Sequence, residues 1–178
     1  RVEAALAGEP LGVVVRDQVG QLVSSLLEGN AVAPGGLARV VLVGNTAMHH
    51  LFGGLDVAPL AAYPFETPSP GPLSWRAEAL GWSRAARADV AFLPCLGGFV
   101  GSDVLAGIRA TGLDRALRPS ALYDLGTNGE IVVGARERLH CASAAAGPAF
   151  EGARISCGMR AAAGAVTAVD VRDGRLVP

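Results

Sequence analysis

The chain contains no lysine; all 15 of its basic residues are arginine. That excludes a Walker-type P-loop, which needs a lysine on the nucleotide phosphates. Charge of either sign is scarce, at 17% of residues, and the 15 basic residues nearly balance the 16 acidic ones. A nucleic-acid groove or an anionic-lipid anchor requires a basic surplus that is missing here, so neither nucleic acid nor membrane is an expected partner. The 3 cysteines, Cys95, Cys141 and Cys157, form no C-x-x-C pair and no zinc or iron–sulfur spacing. They read as small buried thiols in a reducing, cytoplasmic setting. No unbroken apolar run reaches the ~20 residues of a membrane-spanning helix, and no signal-peptide pattern is present.

Apolar bulk is abundant: hydrophobic residues make up 51% of the chain and the mean hydropathy is +0.38. Such a composition belongs to a well-buried globular protein. At 178 residues the chain has room for one good core or two small lobes. It begins with Arg1 and stops inside a hairpin-like pattern around Asp173-Gly174, which reads as a fragment of something longer.

From Val15 the apolar positions Val19, Leu22, Val23, Leu26 and Leu27 recur at helical spacing, with Gly29-Asn30 as a stop. Arg39-Val40-Val41-Leu42-Val43 reads as a strand buried on both faces, as in parallel sheets. Gly44-Asn45-Thr46 then allows a sharp strand-to-helix turn in which Asn45 or Thr46 caps a helix burying Leu51 and Phe52. His49-His50 on that helix invites a metal reading, but adjacent helical residues point about 100° apart and chelate poorly. Five prolines between Pro59 and Pro72 forbid a regular helix or a central strand; the segment reads as a surface insertion or a docking loop. Val90 to Pro94 predicts another strand, and a glycine-rich turn leads into a helix built on Val104, Leu105, Ile108 and Ala110, with Asp103 near its start.

The centre of the chain is Asp124-Leu125-Gly126-Thr127-Asn128-Gly129-Glu130, flanked by the apolar runs Ala121–Tyr123 and Ile131–Val133. Asn128-Gly129 suits a type I′ hairpin turn, because both residues tolerate positive φ. A plain hairpin does not account for Asp124, Gly126 and Thr127. Gly126 and Gly129 would let backbone N–H groups approach phosphate oxygens, and Thr127 and Asn128 would add donors. Asp124 would repel phosphate directly, so it would act through a hydrated Mg²⁺.

Four motifs in order, Val43 to Leu51, Gly98 to Asp103, Asp124 to Glu130 and Ala145 to Ala153, together resemble the ATP-dependent reductive activators of corrinoid proteins. The resemblance implies an α/β fold of the actin-like ATPase (ribonuclease H-like) type, present in part, with mixed sheets flanked by helices. Residues 1–118 would be part of the first lobe, including the interlobe helix, and residues 119–178 the start of the second. It further implies ATP and Mg as cofactors, with Asp124, Gly126, Thr127, Asn128, Gly129 and Gly147 at the nucleotide. Asp124 would hold Mg through water, and Asp103 or Glu130 would orient the attacking water.

In that family ATP drives electron transfer from an iron–sulfur cluster to the cobalt of a corrinoid protein, restoring Co(I). The cluster is expected in an amino-terminal part outside this stretch, as are the first phosphate motif and the adenosine motif. The implied partner is a corrinoid protein of a methyltransferase system, and a homodimer is a further assembly to consider. The intact parent would hydrolyse ATP, whereas the 178-residue stretch would have no independent ATPase activity. Two alternatives stay open: a non-catalytic module that docks a corrinoid protein or a lobe, and a small-metabolite kinase of the same superfamily.

Overall fold

Helix α2 (Leu11–Gly29) carries Val15, Val19, Val23 and Leu27 at four-residue spacing, and this stripe packs on a core centred on Phe52. The computed structural model describes residues 2–126, 128–145, 163 and 169–177. A short helix α1 (Val2–Leu6) precedes α2. Leu22 and Leu26, which the spacing placed with the buried face, are 64% and 65% exposed. They fall one position off a stripe only wide enough for every fourth residue. Asn30 closes the helix, its side-chain amide donating to Leu26 O at 2.8 Å.

The first sheet has the order β1 (Arg39–Leu42), β3 (Asp89–Phe92), β2 (Leu73–Arg76), with β1 parallel and β2 antiparallel to β3. Strand β2 escaped the sequence reading, because it follows directly on the proline-rich segment. In register, Val40, Val90 and Trp75 form one row, and Leu42, Phe92 and Leu73 the next. Both rows face the core. The expectation that β1 is buried on both faces is corrected: its residues alternate, and Val41 is 53% exposed. Only one face of this sheet is covered by the described residues.

Helix α3 (Thr46–Gly53) follows β1 and inserts Phe52 among Trp75, Phe92 and Trp82, with ring centroids 5.2, 5.7 and 6.2 Å away. All three pairs are edge-on, the arrangement aromatic quadrupoles favour. Gly20 of α2 is needed here, since a Cβ on it would lie 2.5 Å from the Trp82 indole. The segment from Ala58 to Gly71 is irregular as expected, with one short 3-10 turn and a cis Tyr63–Pro64 bond.

Helix α4 (Ser102–Thr111) leads to a second sheet, β4 (Ser120–Leu125), β5 (Asn128–Ala135) and β6 (Arg138–Ala145), in that order. Val104, Ile108 and Leu113 pack against Val132 of β5 to form a second core. The hairpin differs from expectation. Asn128 and Gly129 do not form its turn; they begin β5, and the turn lies between Leu125 and Asn128. Placing the turn two residues earlier lengthens β5 at the expense of β4, so the local preference of Asn128-Gly129 yields to strand pairing.

A third, two-stranded sheet joins β7 (Asp170–Arg172) to β8 (Arg175–Val177) through Asp173 and Gly174 at φ of 51° and 73°. Positive φ at both positions is the type I′ requirement that Asp-Gly meets. Packing divides the chain into two units, one of Arg1–Asp124 with Glu130–Ser143, the other of Leu125–Gly129 with Ala144–Pro178. The helix expected from Pro148 lies outside the described residues.

Candidate functional site

Two strand-to-helix turns meet at the carboxyl ends of the parallel strands β1 and β3, the end of an open α/β sheet where ligands bind. At the first, Asn45 caps α3, its side-chain oxygen accepting from Met48 N at 2.9 Å. At the second, Gly101 occupies the N-cap position of α4. The turns are fastened together. Ser102 N donates to Gly44 O at 2.9 Å, Gly44 N donates to Ser102 Oγ at 3.1 Å, and Thr46 Oγ1 donates to Gly97 O at 2.6 Å.

Ser102 and Thr46 are fully buried, so these hydroxyl bonds are made away from water. Gly101 permits the close approach: a Cβ there would sit 2.2 Å from Gly44 O and 2.4 Å from Asn45 Cα. The sequence reading gave Ser102 no role. Its signal was a hydroxyl beside a glycine at a strand-to-helix junction, which is too common to single out.

Asp103 lies in the first turn of α4 and is half-buried. Its Oδ1 accepts from Val104 N at 2.9 Å, and among the described residues no basic side chain pairs with it. Cys95 sits nearby, and burial pushes its thiol up, with the Asp103 charge adding to the rise. Glu130 is the third residue of β5 and accepts a hydrogen bond from Ser143 Oγ at 3.0 Å. Cys141 is exposed, which corrects the expectation of a buried thiol there, whereas Cys95 is buried as expected; partial desolvation, followed by the Glu130 charge, raises the Cys141 thiol. The two candidate water-orienting carboxylates therefore stand on different elements, and only Glu130 is engaged by a neighbouring side chain.

Asp124 is the penultimate residue of β4 and is half-buried. Gly126 is exposed and donates its N–H to Asn128 O at 2.9 Å; Asn128 is exposed and Gly129 buried at the start of β5. Gly126 has no left-handed φ, and among the described residues a Cβ there would meet Asn128 O, at 3.6 Å. Folding of the described residues thus leaves room for a side chain where the sequence has none. Thr127 and Gly147 lie outside the described residues.

The adjacent histidines are core residues, both fully buried. His50 Nδ1 is bonded to Thr46 O at 2.9 Å and its Nε2 to Thr67 Oγ1 at 3.1 Å, while His49 Nε2 is 3.0 Å from Gly71 O. They tie α3 to the proline-rich segment. Burial lowers the His49 pKa below that of free histidine. Among the described residues no group of three or more His, Cys, Asp or Glu side chains is arranged to hold a metal ion. Nor is any helix among them long and apolar enough to cross a membrane.

Two family profiles match the chain, the RACo middle region over residues 2–116 and the C-terminal ASKHA domain of RACo over residues 118–178. Corrinoid activation enzyme RamQ of Eubacterium limosum is 32% identical over 162 residues, covering 91% of this chain and 27% of the relative. A [Co(II) methylated amine-specific corrinoid protein] reductase of Methanosarcina barkeri is 37% identical over 89 residues, covering 50% of this chain and 16% of the relative. A solved reductive activator for corrinoid,iron-sulfur protein superposes with a TM-score of 0.70 at 30% identity, over 88% of this chain and 25% of that one. The chain spans about a quarter of the length of RamQ and of that solved activator. Its fold is the α/β, actin-like type, and the chain belongs to the RACo family of reductive activators of corrinoid proteins.

Proposed function

We propose that the chain is part of an ATP-dependent reductive activase. In the intact protein, ATP binding and hydrolysis would drive one electron from an iron–sulfur cluster to the cobalt of a corrinoid protein, taking Co(II) to Co(I). Family membership supports the reaction class. At residue level the observation that carries the reading is Gly126, an exposed turn glycine whose missing side chain the described fold does not require.

A bound magnesium nucleotide would supply the hydrolysable phosphate anhydride. Around it, the Gly129 amide, the Gly126 amide on release from Asn128 O, and the side chains of Thr127 and Asn128 would grip phosphate oxygens, with Gly147 giving close approach. Asp124 would hold the waters of Mg²⁺. Asp103 is the better candidate to orient the attacking water, since Ser143 already occupies Glu130. Residues 1–118 and 119–178 would belong to the two lobes of the nucleotide cleft, and closure on ATP would bias a two-state element. The partner would be a corrinoid protein of a methyltransferase system, in the cytoplasm, with a homodimer as one assembly.

Calorimetric titration of Mg-ATP into the full-length protein tests this, with Asp124→Ala as the variant. Binding in the wild type that is lost in the variant is the expected result. No binding by the full-length wild type would sink the ATPase reading.

A further inference from the structure

Helix α4 begins without a side-chain cap. Its N-cap position is Gly101, which has no side chain to accept from the first-turn amides. Those amides are met in another way. Ser102 N donates to Gly44 O on the neighbouring turn, and Val104 N donates to Asp103 Oδ1. The Asp103 carboxylate is folded back over Gly101, where a Cβ would lie 2.7 Å from Oδ1. Whatever fixes the backbone of residues 101–103 therefore fixes that carboxylate as well.

Two buried hydroxyls hold this backbone. Ser102 Oγ accepts from Gly44 N at 3.1 Å and, as a donor, lies 3.2 Å from Gly44 O. Thr46 Oγ1, on the first turn, donates to Gly97 O on the second at 2.6 Å. The buried Cys95 thiol joins the same group, within hydrogen-bonding reach of the Thr46 hydroxyl and the Ser102 backbone. Apolar packing would fasten the two turns without burying any hydroxyl, but it is non-directional. Hydrogen bonds constrain angle as well as distance, so these hydroxyls add orientation to the contact.

We propose that Ser102 and Thr46 are positioning residues for the Asp103 carboxylate: by fastening the start of α4 to the end of β1, they hold it where it orients the water that attacks the nucleotide. The proposal rests on the functional reading above, in which Asp103 has that task. Oδ1 is committed to Val104 N, which leaves Oδ2 to accept from the water. The position of Oδ2 then follows from the backbone that the hydroxyls hold, and a displacement of about 1 Å in such a group costs as much as about 100-fold in rate.

The test uses the full-length protein. ATP hydrolysis is measured for Ser102→Ala, Thr46→Val, Asp103→Asn and the Ser102→Ala, Asp103→Asn double variant, with Mg-ATP titration counting the folded sites. Ser102→Ala and Thr46→Val are each expected to lower kcat about tenfold and to leave KM within about twofold. With Asp103→Asn already present, Ser102→Ala should cost no more than about twofold, because its effect passes through the missing carboxylate. An equal loss in both backgrounds would overturn the proposal. Hydrogen exchange without nucleotide gives a readout independent of turnover. Ser102→Ala should speed exchange at the Val104 amide and spare Ile108 and Arg109. Faster exchange throughout α4 would make the hydroxyl a folding element, and no change at Val104 would disconnect it from the carboxylate; either result overturns the proposal. Wild-type turnover in Asp103→Asn would overturn it while leaving the ATPase reading in place. Absence of hydrolysis by the wild type would overturn the ATPase reading and the proposal with it.

Discussion

Replacing Gly126 with alanine separates folding from ligand binding, because the two predict opposite effects. The backbone there is not left-handed, and the added Cβ would make only an ordinary contact, 3.6 Å from Asn128 O. Glycine-to-alanine substitution at such a position restricts the unfolded chain and stabilises by about 0.4–1 kcal/mol. If the Gly126 amide approaches a phosphate, the same methyl obstructs a hydrogen bond to a charged group worth about 1.5–3 kcal/mol, or roughly 10- to 100-fold in affinity. The assay pairs hydrogen-exchange protection of β4 and β5 amides with Mg-ATP titration, both on the full-length protein. Protection should hold or rise while nucleotide affinity falls. Retained affinity would refute the phosphate site, and lost protection would show that the turn itself needs the glycine. Gly101→Ala is the contrasting control. Its Cβ would collide with Gly44 O and Asn45 Cα, both backbone atoms, so about 1–3 kcal/mol of destabilisation is expected at the α4 junction.

Phe52→Ala should cost about 3–5 kcal/mol in urea unfolding, since Phe52 is fully buried and contacts three aromatic rings; a cost below about 1 kcal/mol would contradict the assigned core. His49 gives a pH prediction. Its folded pKa is lowered by burial, so the unfolded state binds more protons as pH falls below about 6.5. Stability should therefore be full above that pH and decline below it, by at most about 1.4 kcal/mol per pH unit, levelling off beneath the folded pKa. Unfolding measured from pH 5 to 8 in wild type and His49→Phe checks this, and an identical slope in both would refute it.

Residue order by itself determined most of the local structure and the family. Four-residue apolar spacing specified α2, Gly44-Asn45 specified the entry to α3, and Asp173-Gly174 specified the last hairpin, because each depends on interactions within a few residues. The four motifs in series were enough to point to the corrinoid activators. Tertiary structure decided what local preference leaves open. Asn128-Gly129 is a strong turn signal, yet pairing of β4 with β5 draws it into a strand. Leu22 and Leu26 share the helical spacing of Val23 and Leu27 but face solvent, because burial depends on where α3 and the turns around Trp82 lie against α2. Ser102 and Thr46 were legible only in space. Their contacts join positions far apart in the chain, as Ser102 joins Gly44 and Thr46 joins Gly97, and no window along the sequence contains both partners.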